Sequence, residues 1–126
     1  MKHPGNWFKS LLHAVNGLRL ATQERNMRIH LLASITVLLL SYTLDVSIIE
    51  WAFICSAIGF VLVTECVNTC IEYICDMITT DYSIHVKQIK DIAAAAVLVS
   101  TLYALSIASF ILLPKLLHLT TYHYVY

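Results

Sequence analysis

The sequence predicts an all-α membrane protein, in which a single domain over residues 1–126 holds one amphipathic surface helix and three transmembrane helices. Composition is the first reason, because 59% of the residues are hydrophobic and only 13% are charged, whereas about 25% charged residues is typical of soluble domains. Mean hydropathy is +0.74. The second reason is that the apolar residues gather into three long stretches. The third is that the segment before them carries apolar residues at helical spacing.

The first predicted element is an amphipathic helix over residues 6–23. Trp7, Leu11, Val15 and Leu18 recur every three or four residues and therefore share one helix face, while polar side chains lie opposite. Such a helix is too polar to span a bilayer, and we expect it to lie on the cytoplasmic membrane surface. The alternative is the first helix of a soluble bundle. No apolar signal core follows the first residues, so we expect no removable signal peptide.

The three apolar stretches predict the spanning helices. The longest, Ile92–Leu113, has 22 residues without a charge, and a spanning helix needs about 20. The other two reach that length only if their helices extend into polar flanks. A short join over residues 45–47 separates them, and Ser47 with Glu50 forms the S-x-x-E pattern that starts helices. The sequence therefore predicts a tight hairpin, with transmembrane helices at about 29–45, 48–75 and 90–113.

The Lys and Arg residues indicate which helix ends face the cytoplasm. Five of them precede the first apolar stretch, Lys87 and Lys90 lie in the 77–91 loop, and none lies in the 45–47 turn. Because cytoplasmic loops carry the excess of basic residues, the N-terminus and the 77–91 loop are predicted to be cytoplasmic. Formal net charge is zero, so charge gives no reason to expect a nucleic-acid partner.

One face of the second span carries acidic and amide side chains. Glu65, Asn68, Glu72 and Asp76 follow one another at i, i+3, i+7 and i+11, so they fall within an arc of about 80° on a helix. A carboxylate at the bilayer centre costs about 2.5–3.5 kcal/mol on insertion scales, so we expect a compensating cation. The candidate cations are a divalent metal, Lys90, Arg25 and Arg28. The alternative is a solvated helix end, which suits Asp76 well, Glu72 in part and Glu65 poorly.

These polar groups indicate phosphate chemistry at the cytoplasmic interface. Carboxylate and amide oxygens suit Mg²⁺, which binds one or two carboxylates together with substrate phosphates. A deeper carboxylate could take a proton from a lipid hydroxyl. Glu24 lies where the surface helix meets the first span, and Lys90 with Asp91 begins the third. The combination predicts phosphoryl transfer from a soluble nucleotide to a lipid.

Two other classes of function remain open on these residues. Intramembrane carboxylates also mark proton or cation paths, so a small conducting oligomer is the first alternative. A non-catalytic assembly protein, whose polar residues only hold helices together, is the second. Lys90 and Asp91 beside the carboxylates favour phosphate binding over conduction. The sequence has no Walker A motif and only three glycines, so a nucleotide would be held without a glycine-rich loop.

Four segments of the sequence resemble one known family. They are ERNMRIH, SIIEW, ECVNTCIE with an Asp four residues later, and KDIAAAAVL. They are similar to the small prokaryotic diacylglycerol kinases, which include the undecaprenol kinases of Gram-positive bacteria, and the resemblance covers residues 8–117. SIIEW and the closing LLPKLL are more similar to the undecaprenol branch. The resemblance implies ATP-dependent phosphorylation of undecaprenol to undecaprenyl phosphate, or of diacylglycerol to phosphatidic acid by the same mechanism.

The resemblance also implies a site, a cofactor and an assembly. Glu65 takes the position of the general base, and Glu24 and Glu72 take the positions that bridge the Mg²⁺ of MgATP. The residues expected at ATP are Glu24, Asn68, Glu72, Asp81, Tyr82, Ser83, Lys90 and Asp91. The residues expected at the lipid substrate are Lys9, Arg28 and Glu65. The protein is expected to be a homotrimer in the bacterial cytoplasmic (inner) membrane.

The size of one subunit bears on that assembly. Three thin helices and a surface helix are too little protein to surround a nucleotide, a metal and a lipid head group, and we expect the carboxylate face to lie open to lipid in one subunit. Ala96, Ser100, Ala104 and Ala108 recur every fourth residue, a spacing that lets membrane helices approach closely. A ring of subunits would cover the carboxylate face. We therefore expect active sites built from residues of two subunits.

Overall fold

The computed structural model describes residues 6–78 and 81–123. Within these ranges the chain forms four α-helices and no strand, which confirms the all-α class. The helices are α1 (Asn6–Ala21), α2 (Arg25–Thr43), α3 (Ile48–Ile78) and α4 (Ile84–His123). α3 and α4 form the most extensive contact, α2 packs against both of them, and α1 contacts α3.

α3 and α4 extend well beyond the apolar stretches that predicted them. α3 has 31 residues and is therefore about 46 Å long at about 1.5 Å per residue, against a hydrocarbon core of about 30 Å. α4 has 40 residues and begins at Ile84 rather than near residue 90. Hydropathy locates the part of a helix that suits hydrocarbon, whereas helical hydrogen bonding continues into the polar flanks. Several polar residues of the predicted site therefore stand on regular helical turns.

Two of the helices, α3 and α4, are long and apolar enough to cross a membrane by length and composition. α2 has 19 residues and carries Arg25 and Arg28 near its start, so it does not meet the same criterion. Large apolar side chains stay exposed along the outer faces of α3 and α4, among them Phe60, Leu98 and Phe110. Contiguous exposed apolar surface of this kind is typical of a membrane-facing or partner-facing surface.

α1 lies almost entirely on the surface. Trp7, Phe8 and Leu11 are each more than half exposed, so the described part of the chain leaves most of their apolar surface uncovered. The turn after α1 is held by Arg28, whose guanidinium donates to the backbone oxygens of Thr22 at 3.0 Å and Gln23 at 2.9 Å. Free carbonyls at a helix C-terminus attract a cation in this way. Arg28 thereby ties the end of α1 to the start of α2.

The turn between α2 and α3 is closed by the predicted capping box. The Ser47 N–H donates to Glu50 Oε2 at 2.6 Å and the Glu50 N–H donates to Ser47 Oγ at 3.4 Å, so this prediction is confirmed. Asp45 has a φ of 48°, a left-handed conformation that Asp tolerates better than most residues. Lys115 of α4 forms an ion pair with Glu50 at 3.3 Å and donates to the Asp45 carbonyl at 3.4 Å. We call this part of the bundle, residues 43–50 with Lys115, the turn end.

The buried side chains between the helices change from apolar to polar along the bundle. Next to the turn end, Val46, Ile54 and Leu112 form a buried apolar cluster. Further along, Ser100 of α4 is fully buried, and its hydroxyl lies 2.8 Å from that of Thr64 on α3. Beyond that pair the face of α3 becomes polar. We call this opposite end, where α2 and α4 begin and α3 finishes, the site end.

Candidate active site

The predicted polar face of α3 runs from a buried carboxylate to an exposed one. Glu65 is 2% exposed and Asn68 is 4% exposed, Glu72 is half-buried, and Asp76 is exposed. Glu65 makes no hydrogen bond or ion pair with any residue in the described ranges. A desolvated carboxylate without a partner is costly. Such an arrangement is typical of a group that meets a ligand.

The expectation that this face lies open to lipid in one subunit is wrong. Glu65 and Asn68 are buried within a single chain, because the neighbouring helices of the same chain pack over this part of α3. The sequence alone does not show how the helices of one chain pack against each other. The two outer carboxylates, Glu72 and Asp76, do keep access to solvent.

Glu24 reaches α3 from the start of α2. It occupies the N-cap position of α2, but its side chain does not cap that helix. Instead its Oε1 accepts a hydrogen bond from the Tyr73 hydroxyl at 2.5 Å. Glu24 and Glu72 both act electrostatically on Tyr73 and on Glu65, so the three carboxylates belong to one cluster. Tyr73 did not figure in the sequence prediction.

The amide of Asn68 has one satisfied end and one unsatisfied end. Its Nδ2 donates to Glu72 Oε1 at 3.2 Å, while its Oδ1 is buried and has no hydrogen-bond partner among the described residues. An unsatisfied buried oxygen costs about 1–3 kcal/mol. Amide and carboxylate oxygens are also the ligands that Mg²⁺ prefers.

These residues fit a magnesium ion bound jointly with phosphate. In residues 6–78 and 81–123, no three His, Cys, Asp or Glu side chains are arranged to hold a metal on their own. Mg²⁺ rarely needs such a cage, because it uses one or two protein carboxylates and takes its other ligands from water and substrate phosphates. Glu24 and Glu72, with the free oxygen of Asn68 nearby, supply donors of that type and number.

Two lysines at the start of α4 form ion pairs at the same end. Lys90 Nζ lies 2.5 Å from Asp76 Oδ1, and Lys87 Nζ lies 2.7 Å from Asp91 Oδ2. Of the cations considered for the buried carboxylate, Lys90 therefore pairs with Asp76 instead. Exposed ion pairs contribute only about 0–1 kcal/mol, so both lysines can exchange their partners for a phosphate at little cost.

The remaining predicted residues lie on the segment before α4, on α1 and on α2. Asp81 and Tyr82 are exposed and Ser83 is half-buried in the segment directly before α4. This segment, like Lys90, lies at the site end. Lys9 is exposed on α1. The guanidinium of Arg28, predicted at the lipid, is hydrogen-bonded to the turn after α1.

His30 is a further ionisable residue at this end, and sequence reasoning missed it. It is half-buried on α2, and among the ionisable neighbours of Glu65 it has the largest electrostatic effect on that carboxyl. The available signal was its place in the segment RIH, at the point where α2 turns apolar. A polar residue there faces either the bundle or lipid, and the sequence alone does not distinguish the two.

Comparisons with known proteins identify the family of the chain. The family model described as prokaryotic diacylglycerol kinase matches residues 12–112. The chain is 40% identical over 111 residues to an undecaprenol kinase of Bacillus subtilis, covering 87% of this chain and 90% of that protein. It is 34% identical over 98 residues to a diacylglycerol kinase of Synechocystis sp., covering 76% of this chain and 55% of that protein.

The matched region runs from α1 to α4 and contains every candidate site residue except Lys9. The resemblance found in the sequence motifs is thereby confirmed, and the lipid-kinase interpretation prevails over a conducting oligomer or an assembly protein. Because the family model covers most of the chain and two of its helices are long and apolar enough to cross a membrane, the chain belongs to the prokaryotic diacylglycerol kinase family and is a membrane lipid kinase.

Proposed function

We propose that this lipid kinase phosphorylates undecaprenol with MgATP at the cytoplasmic face of the bacterial inner membrane. The observation that carries the chemistry is the buried carboxylate of Glu65, which has no partner within the described chain. The preference for undecaprenol rests on the similarity to an undecaprenol kinase, which covers nearly the full length of both proteins. Diacylglycerol is the second candidate, because a diacylglycerol kinase is also a relative.

The proposed reaction assigns a role to each polar group. Glu65 takes the proton from the lipid hydroxyl while the hydroxyl oxygen bonds to the γ-phosphorus. The bond between the γ-phosphorus and the β-phosphate oxygen breaks, which releases ADP. Glu24 and Glu72 would hold Mg²⁺, which supplies charge neutralisation at the phosphates. Lys90 would exchange Asp76 for a phosphate oxygen.

The other nucleotide contacts in this proposal come from residues around the cluster. Asn68 would offer its free oxygen toward the metal or a bound water. Asp91 would keep Lys87 in place beside the phosphates, since the two already form an ion pair. Asp81, Tyr82 and Ser83 would contact the nucleotide from the segment before α4, and Lys9 would approach the lipid head group from α1.

In the membrane, α2 would form the third span beside α3 and α4, with the site end in the cytoplasm. This orientation follows the distribution of Lys and Arg. A homotrimer is supported by the partial exposure of Glu72, Asp76, Lys90 and Asp91, because one chain leaves the nucleotide region open to water. A neighbouring subunit would complete it.

The shared site can be tested by mixing separately inactive variants under conditions of subunit exchange. If Glu65 and Lys90 of one site come from different chains, an equal mixture of the Glu65→Gln and Lys90→Met variants should regain about a quarter of its sites, as random assembly of a ring requires. No recovery for any pair among Glu24, Glu65, Glu72 and Lys90, despite proven exchange, would assign all four residues to one chain.

The function itself is tested by transfer of labelled phosphate from ATP to each lipid, with purified protein in a defined membrane. We expect polyprenol to be phosphorylated faster than diacylglycerol, and the Glu65→Gln variant to phosphorylate neither. Rapid turnover of diacylglycerol with polyprenol near background would overturn the undecaprenol assignment and leave the lipid kinase intact.

A further inference from the structure

An apolar cleft lies between α2, α3 and α4 on the turn-end side of Glu65. It has a volume of about 110 Å³, and it runs along α2 from His30 to Val37, a distance of about 10 Å at about 1.5 Å per residue. On α3 its wall is formed by Ile54, Ile58 and Val61. An apolar cavity of about 150 Å³ is large enough to bind benzene, so this cleft is of a size to hold a short run of hydrocarbon.

The polar groups of the cleft gather in its half nearer Glu65. The lining side chains are apolar apart from His30, Ser34 and Thr101. The Ser34 hydroxyl is already used, because it donates to the His30 backbone oxygen at 2.7 Å. His30 therefore forms the polar head of a cleft that becomes purely apolar toward Ala108.

His30 lines the cleft at the end nearer Glu65. Val61 lines the cleft, and Glu65 lies one helical turn further along the same face of α3. The two side chains interact electrostatically, yet no hydrogen bond joins them in the described structure. Two of the cations considered for Glu65 are used elsewhere, since Lys90 pairs with Asp76 and Arg28 binds backbone carbonyls.

A hydroxyl group fits between a carboxylate and an imidazole. It can donate its hydrogen to the carboxylate and accept a hydrogen bond from an imidazole N–H at the same time. We propose that His30 positions the acceptor hydroxyl of the lipid alcohol against Glu65, and that the hydrocarbon next to this hydroxyl enters the apolar cleft. The inference rests on the proposed lipid-kinase site and gives the binding position of the lipid substrate in it.

In this arrangement His30 holds the oxygen and Glu65 removes the proton. One lone pair of the hydroxyl oxygen accepts from the imidazole N–H, another attacks the γ-phosphorus, and the O–H proton passes to the Glu65 carboxylate. The imidazole starts and ends the step with the same protons. His30 is thus a positioning residue for the acceptor and not a second base.

The first test compares His30→Leu with His30→Gln in the purified full-length protein, with a polyprenol as acceptor. Leu keeps the bulk but removes the donor, so kcat/KM for the polyprenol should fall about tenfold or more, as expected for one lost hydrogen bond in the reacting geometry. Gln keeps an N–H donor, so the Gln variant should retain most of the wild-type kcat/KM for the polyprenol. The KM for ATP should stay unchanged in both.

The matched control is His118→Leu, the same change at an exposed histidine near the turn end; it should leave the kinetics unchanged. A purely structural role for His30 predicts instead a loss of thermal stability, with equal effects on the ATP and lipid parameters. Equal losses in the Leu and Gln variants, or no loss in either, would overturn the proposal. A wild-type protein that phosphorylates no lipid alcohol would overturn the kinase assignment itself, which is a separate outcome.

The second test fills the deep end of the cleft with Ala108→Leu. Polyprenol should then show a raised KM, whereas a short-chain prenol that reaches only the His30 end should not. Ala52→Leu, on an exposed position of α3, is the control. Equal effects on both chain lengths, or a change in the oligomer mass of Ala108→Leu that shows a neighbouring subunit in the cleft, would overturn the cleft as the hydrocarbon site.

Discussion

The two ends of the helical bundle differ in whether their polar side chains have hydrogen-bond or ion-pair partners. At the turn end, Ser47 and Glu50 satisfy each other, and Lys115 satisfies both Glu50 and the Asp45 carbonyl. At the site end, Glu65 and the Asn68 oxygen are more deeply buried and lack partners in the described chain. We infer from this difference that the polar groups of the turn end stabilise the fold and that those of the site end meet a ligand.

The comparison predicts that substitutions at the two ends have opposite consequences. Neutralising an unpaired buried carboxylate should remove activity without loss of stability. Breaking a satisfied cluster should lower stability without loss of activity.

The largest effect is expected for Glu65→Gln. Loss of a general base should lower kcat by about 10²–10⁴-fold, while ATP binding and thermal stability stay near the wild-type values, because a buried amide is less costly than a buried carboxylate. Steady-state kinetics, nucleotide titration and thermal unfolding in detergent measure the three quantities. A loss of nucleotide affinity equal to the loss of rate would contradict the base role.

Glu24→Gln and Glu72→Gln should have the next largest effect, and the same one. If both carboxylates bridge the metal, each variant should need about 10–100-fold more Mg²⁺ to reach half its maximal rate. A magnesium titration of the initial rate measures this, with Asp76→Asn as the control at an exposed carboxylate of the same helix. Saturation of either variant at the wild-type Mg²⁺ concentration would remove that residue from the metal site.

At the turn end, Glu50→Ala should change stability and leave catalysis alone. It removes one half of the capping box and the partner of Lys115, so the free energy of unfolding should fall. Denaturant unfolding in mixed micelles should report that loss, while kcat and both KM values stay constant. A drop in kcat at full folding would mean that the two ends are coupled, and the contrast between them would be wrong.

The smallest effect is expected from the Thr64–Ser100 pair, which lies between the two ends. A double-mutant cycle with Thr64→Val and Ser100→Ala should give a coupling energy of about 0.6 kcal/mol, as is usual for hydrogen bonds between membrane helices. Because Thr64 precedes Glu65 directly, the single variants should also slow transfer slightly. A zero coupling energy would show that the pair does not hold α3 and α4 in register.

The sequence was sufficient where short-range spacing decides the structure. Ser47 and Glu50 are three residues apart, so their mutual capping follows from local geometry. The polar face from Glu65 to Asp76 follows from the helical period in the same way. Family membership followed from four short motifs.

The sequence was insufficient where the rotation of one helix against another decides the outcome. The bond between Glu24 and Tyr73 joins residues 49 positions apart, and neither residue carries a local sign of the other. The pairing of Lys90 with Asp76 and the electrostatic interaction of His30 with Glu65 depend on the same packing. So does the burial of Glu65 within one chain, which the sequence argument had assigned to a neighbouring subunit.

The length of α3 bears on which parts of the two substrates have to leave water. In the proposed orientation, a hydrocarbon core that begins at Ile48 and takes about 20 residues to cross would end near residue 67, just past Glu65. Glu72 and Asp76 would then lie in the head-group region. In the proposed reaction, the α- and β-phosphates could then stay at the hydrated interface, while the lipid hydroxyl and the γ-phosphate meet at the buried Glu65. Most of the phosphate charge would thus avoid the large cost of entering hydrocarbon.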